Sequence, residues 1–228
     1  MMNLNHLHEE MRACRRCLEA GYDIAPGAIF SPGSENRRVM LIGQAPGVTE
    51  VDARRPFNAG SGRRLFQWLG EAGWDEGAFR GRHYMTAVTK CYPGKSGNGK
   101  GDRVPSKAEQ ALCRPFLEQE IALVNPRLIL LVGGLAIKLF YPAAVRLEEI
   151  VGTAAYFPPE VLAHPVNFDL AQAKWPVPFT ESKEERGRWV VPLPHPSGAS
   201  LWPNQPANQA LIQQAIALLR QLRLALEL

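Results

Sequence analysis

Val39-Met40-Leu41-Ile42 is a run of four apolar residues that stops in Gly43-Gln44-Ala45-Pro46-Gly47. No other feature limits the fold as much. Apolar residues in unbroken succession fit a strand covered on both faces, which is the condition of a parallel sheet. Gly and Pro stop the strand at its carboxyl end, and in open α/β sheets ligands bind at that end. The loop that starts at Gly43 is therefore a candidate pocket floor.

The rest of the chain supplies partners for such a strand. Residues 83–88, 127–132 and 189–193 read as further strands. Between them lie helical patterns. Leu65, Phe66, Trp68 and Leu69 form one apolar face. Residues 106–124 open on Ser106 with Glu109 three positions later, a capping box. A short helix is expected over 135–140 after Gly133-Gly134, and an amphipathic helix over 207–228 closes one face. A further helix is expected over 4–20. Strands alternating with helices predict an α/β fold with a parallel sheet covered on both sides. At 228 residues one domain, 1–228, is expected. Residues 141–188, rich in Pro and aromatics, show no period and read as an excursion over the surface.

The longest nearly unbroken apolar run, residues 128–137, is too short to span a bilayer. The first eleven residues carry His and Glu and no apolar h-region, so a cytoplasmic protein is expected. The formal net charge is +4, but the charge is unevenly spread. Arg80, Arg82, Lys90, Lys95, Lys100, Arg103 and Lys107 face a single acid, Asp102, in the stretch 80–107, an excess of seven minus one. Such a patch suits either a phosphate backbone or a solvated loop. The glycine-rich start of the helix at 60–62 would also accept a phosphate.

Four cysteines occur: Cys14 and Cys17 as C-x-x-C, then Cys91 and Cys113. Without a secretion signal, a metal site is a better reading than disulfides. Four thiolates suit zinc or a [4Fe–4S] cluster. Arg15, Arg16 and Arg114 adjoin the cysteines and favour the thiolate form.

Taken in order, Gly43-Gln44-Ala45-Pro46-Gly47, Arg55-Pro56-Phe57, Thr86-Ala87-Val88-Thr89-Lys90-Cys91 and His195-Pro196-Ser197 resemble the uracil-DNA glycosylase superfamily, in particular its iron–sulfur branch, family 4. The resemblance implies a three-layer α/β/α sandwich on a central four-stranded parallel sheet. It also implies a [4Fe–4S] cluster on Cys14, Cys17, Cys91 and Cys113, with zinc second, and a monomer that removes a deaminated base from DNA in base excision repair. Enzymes of this kind flip the base into a pocket. Phe57 matches the aromatic residue that stacks on it, beside Gly43, Ala45 and Ala87. His195 matches the histidine that stabilises the departing base. Ser197, Gly198 and Ser200 resemble the phosphate-pinching loop, Leu201 and Trp202 are candidate wedges, and Lys90 a candidate DNA contact.

Two positions depart from that family's pattern. Gln44 stands where family 4 has Glu, and an amide can position but cannot act as a general base. Glu50 or Asp52 is therefore expected to orient water or steady the cationic sugar. Ala87 stands where uracil-specific members have an Asn, so hypoxanthine or xanthine joins uracil as an expected base. A DNA- or lesion-binding protein without turnover, and a hydrolase of free nucleotides, are the alternative functions.

Overall fold

The computed structural model describes residues 3–34, 38–97, 99, 101–158, 173–177, 187–198 and 200–228. At its centre is the expected strand, β1 (Val39–Gly43), buried at every position. It pairs in parallel with β2 (Tyr84–Ala87) on one side and β3 (Leu128–Val132) on the other. β6 (Arg188–Leu193) runs parallel to β3. These four strands are the parallel sheet that the alternation of elements predicted.

Side chains leave the sheet alternately, and that period of two divides the core. Val39 and Leu41 of β1, with Leu128 and Leu130 of β3, join one apolar cluster. This layer is covered by α4 (Gly60–Glu71), through Leu65, Phe66 and Leu69, and by α9 (Pro206–Ala225), through Ile212, Ile216 and Leu219. Met40 and Ile42, with Ile129 and Leu131, join the other cluster, against Leu7 and Met11 of α1 (Leu4–Ala13) and Phe116, Leu117 and Ile121 of α6 (Lys107–Val124). Helices thus cover both faces. The Ser106–Glu109 capping box forms as the sequence predicts: Ser106 Oγ accepts from the Glu109 amide at 3.3 Å and Glu109 Oε2 from the Ser106 amide at 2.7 Å.

The excursion expected over 141–188 is corrected in part. It contributes α8 (Leu147–Ile150) and two strands, β4 (Ala154–Phe157) and β5 (Lys174–Val177), which extend the sheet antiparallel in the order β2-β1-β3-β6-β4-β5. Four parallel strands therefore become six in all. Lys-Trp-Pro-Val carries a proline, which argues against a strand except at an edge, and β5 stands last in the order. Residues 159–172 and 178–186 of the excursion lie outside the described residues.

Two other expectations shift, and one further element joins them. The helix over 4–20 breaks at Cys14, whose backbone is extended (ψ 134°), into α1 and a single turn, α2 (Arg16–Glu19). The loop after Gly47 contains a short helix, α3 (Val48–Ala53). The helix over 135–140 shrinks to α7 (Gly134–Ile137). A further helix, α5 (Glu76–Arg82), leads into β2.

Candidate active site

A cleft of about 370 Å³ opens at the carboxyl ends of the parallel strands. Its floor is the loop the sequence singled out. Gly43, Gln44, Ala45, Pro46 and Gly47 line it, together with Phe57, Thr86, Ala87 and His195.

Phe57 reaches this floor through a tightly determined loop. Its backbone is left-handed (φ 53°), which is costly for an aromatic residue and persists only where the surroundings enforce it. They do so on four sides. The Phe57 amide donates to Glu50 Oε1 at 2.5 Å, while Glu50 Oε2 accepts from the Gly47 amide. Arg80 donates through Nη1 to the Pro56 carbonyl (2.7 Å) and through Nη2 to the Phe57 carbonyl (2.8 Å). That guanidinium also bonds Glu76 at 2.8 Å and lies 4.2 Å over the Phe66 ring. A Cβ on Gly62 would stand 1.9 Å from the Phe57 oxygen, and one on Gly43 would stand 2.9 Å from the Phe57 ring. The glycine at 62 therefore serves close packing, and the glycine at 43 gives the ring its seat.

His195 follows the end of β6. Its Nδ1 accepts from the Ser197 amide at 3.2 Å, which places the ring proton of the neutral form on Nε2. Burial lowers its pKa, so the ring is neutral at physiological pH. Gly133, left-handed at φ 89°, makes room for it: a Cβ there would stand 3.0 Å from Cδ2. Ser197 lines the cleft, Gly198 is exposed and Ser200 half-buried. Leu201 is 76% exposed. Trp202 is half-buried: its Nε1 donates to Glu148 at 2.6 Å and its ring packs against the core.

Two expected site residues are displaced. Asp52 is exposed and does not line the cleft. Lys90, expected to meet DNA, is 2% exposed. Its Nζ pairs with Glu120 Oε2 at 2.6 Å and donates to the Ala87 carbonyl at 2.5 Å. Glu120 Oε1 accepts from Thr86 Oγ1 and from Tyr84 Oη, both at 2.9 Å, and the Tyr84 hydroxyl also meets His8 Nε2 at 2.9 Å. A buried polar network thus backs the pocket wall. Arg80 and Arg103 likewise leave the basic patch for structural roles, since Arg103 forks onto Glu109 at 2.6 and 2.7 Å. That fork pulls the Glu109 pKa down from 4.5 to about 2.

Sequence reasoning missed the hairpin that closes the far wall. Lys95 and Asp102 form a bridge, and Gly101, Asp102 and Arg103 line the cleft. Its one sequence signal is a lone acid within a basic stretch.

The four cysteines are free: Cys14 at the break after α1, Cys17 in α2, Cys91 past β2 and Cys113 in α6. Among the described residues no three His, Cys, Asp or Glu side chains close on a single metal ion. The thiols nonetheless feel one another. Burial, then Cys113 among its neighbours, pushes Cys17 up to about 11, and burial followed by Cys113 does the same to Cys91. Burial also raises Cys113, opposed by Lys90. Four soft thiol donors from three separate segments, none of them in a disulfide, are the donor chemistry that a thiolate-bound cluster takes.

The sequence pattern of the uracil DNA glycosylase superfamily matches residues 30–220. The Type-4 uracil-DNA glycosylase of Pyrobaculum aerophilum is 32% identical over 151 residues, 66% of this chain and 71% of that protein. The one from Sulfurisphaera tokodaii is 29% identical over 133 residues, 58% of this chain and 56% of the relative. The one from Thermotoga maritima is 31% identical over 112 residues, 49% and 53% respectively. The matches thus span from about half to under three quarters of these relatives' lengths. Cys14 and Cys17 precede the family match, whereas Gly43, Phe57, Ala87 and His195 all lie within it. Since that match runs from the segment before β1 into the last helix and takes in the pocket floor, the chain belongs to the uracil DNA glycosylase superfamily.

Proposed function

We propose that the chain is a DNA glycosylase that flips a deaminated base, uracil or a related lesion, into the cleft and hydrolyses its N-glycosidic bond. The observation that carries this is His195: a half-buried, neutral ring whose Nε2–H is left to a ligand because Nδ1 is held by the Ser197 amide. As the glycosidic bond breaks, negative charge gathers on the departing base, and a fixed donor in a desolvated site stabilises it. Phe57 offers the stacking surface. Gly43 and Ala45 shape the floor, and the Gln44 amide orients the base. Glu50 acts by holding Gly47 and Phe57 in register. Ser197, Gly198 and Ser200 take the flanking phosphates, and Leu201 fills the vacated stack.

Ala87 presents a methyl group where an amide would read the uracil edge. Loss of such a bidentate contact costs about 1–3 kcal/mol in discrimination, so the pocket is permissive among deaminated bases. Cys14, Cys17, Cys91 and Cys113 would hold a [4Fe–4S] cluster, which supplies a cross-link between the N-terminal helices, α6 and the loop after β2. Zinc is the lesser alternative, and absorbance near 400 nm distinguishes the two. The protein acts as a cytoplasmic monomer of one domain. No helix among the described residues is long and apolar enough to cross a membrane.

The test is alkaline cleavage after incubation with oligonucleotides carrying uracil, hypoxanthine or xanthine. Strand breaks with at least one are expected. Tight binding with no breaks at any of the three would overturn turnover in favour of a lesion-binding protein, a reading that rests on Gln44 and Ala87 together.

A further inference from the structure

The cleft contains two carboxylates, and they are not equivalent. Glu50 has both oxygens engaged by backbone amides, those of Gly47 and Phe57. Asp102 is engaged on one side alone. Its Oδ1 accepts from the Tyr92 hydroxyl at 2.9 Å and from Lys95 Nζ at 3.4 Å. Its Oδ2 points at the floor loop, 3.0 Å from where a Cβ of Gly47 would stand, and no hydrogen bond to it is found among the described residues. The absence of a side chain at position 47 is what lets this carboxylate approach the loop.

The hairpin that carries Asp102 is firmly anchored. The Arg103 amide bonds the Gly94 carbonyl at 3.0 Å, and the Ser96 amide bonds the Gly101 carbonyl at 3.0 Å. The next residue, Arg103, is pinned by its fork onto Glu109 and by the Asp23 carbonyl at 3.1 Å. Asp102 is 30% exposed at its side chain, wet enough to exchange a proton with solvent. It lines the same cleft as His195.

We propose that Asp102 is the general base of this site, supplying the carboxylate that Gln44 does not. The inference rests on the glycosylase reading above. Water attacks C1′ of the flipped nucleotide while the C1′–N bond breaks. The electron pair of that bond leaves with the base, whose oxygen is held by His195 Nε2–H, and the water proton passes to Asp102 Oδ2. Asp102 then returns its proton to solvent, from which the departed base is protonated. One bond forms, one breaks, and no oxidant or metal takes part. Tyr92 and Lys95 hold the idle oxygen; Arg103, Glu50 and His195 are the other ionisable groups around the cleft.

The experiment compares the wild-type protein with Asp102→Asn and Glu50→Gln in single-turnover excision from uracil, hypoxanthine and xanthine oligonucleotides, with DNA affinity and thermal melting measured alongside. Asn keeps the oxygen that accepts from Tyr92, so D102N is expected to fold and bind DNA as the wild type does. Its excision rate should fall by about 10²-fold or more while DNA affinity and melting temperature stay at wild-type values. E50Q should lose melting temperature as well as rate. If D102N keeps a rate within threefold of an active wild type, or loses melting temperature and DNA affinity in proportion to rate, Asp102 is not the base. If the wild type itself excises none of the three bases, the glycosylase reading falls, and with it the reaction for which the base was invoked.

Discussion

The pocket floor and the wall behind it are both rigid, and they reach that state by opposite means. The floor is held by backbone geometry: a left-handed Phe57, two glycines against which it packs, and carbonyls and amides clasped by Arg80 and Glu50. The wall is held by charge: Lys90 and Glu120, both almost wholly buried, with Tyr84 and Thr86 completing the carboxylate's shell. Shape fails gradually when it is perturbed, since neighbours shift to absorb an added atom. A buried ion pair fails abruptly when one member is removed, because the survivor has no water to turn to.

The largest effect should therefore come from Glu120→Leu, which strands the Lys90 ammonium. A loss of about 3–5 kcal/mol is expected by denaturant titration. The double variant Lys90→Met with Glu120→Leu should recover most of it, and failure to recover would mean that the network contributes more than its own pairing. Gly62→Ala follows, at about 1–3 kcal/mol. It pushes a Cβ into the Phe57 carbonyl, so the excision rate should fall together with stability; an unchanged rate would show that the floor tolerates displacement.

Acid titration separates the two kinds of region further. Glu109 is held down to about 2 mainly by the hydrogen bonds from Arg103. Its contribution to stability is complete above 4.5, where the unfolded group would also be ionised, and is lost as pH falls from 4.5 through 2. The gap in melting temperature between wild type and Glu109→Gln should narrow over that window, whereas the Gly62→Ala gap should not. Smallest in stability is Leu201→Ala, within about 0.5 kcal/mol. Excision from duplex should drop several-fold and excision from single strands should not, since only the duplex has a stack to wedge.

The sequence made the floor visible and hid the wall, for a physical reason. Strands β1 and β3 announce themselves as continuous apolar runs, and the Ser106–Glu109 cap lies within four residues, so neighbours in sequence are neighbours in space. Lys90 and Glu120 are 30 positions apart, and nothing in a lysine's surroundings along the chain says that a helix will bring it a carboxylate. Arg80 misled in the same way, reading as surface charge while serving as a bracket for Pro56 and Phe57. The break at Cys14 carries no glycine or proline, and β5 carries a proline that argues against it. Along the chain Asp102 is one neutralising charge in a basic loop, because its opposition to Gly47 arises only once the hairpin folds back.

The grip of Lys90 on the Ala87 carbonyl separates two properties that usually vary together. The main chain at the end of β2 is fixed from behind, so the side chain at 87 becomes an interchangeable insert facing the cleft. On the proposed reading its replacement should retune which base is accepted while leaving the frame that presents it in place. A small library at this one position is thus an economical test of the proposed permissive pocket and a route to a more selective one.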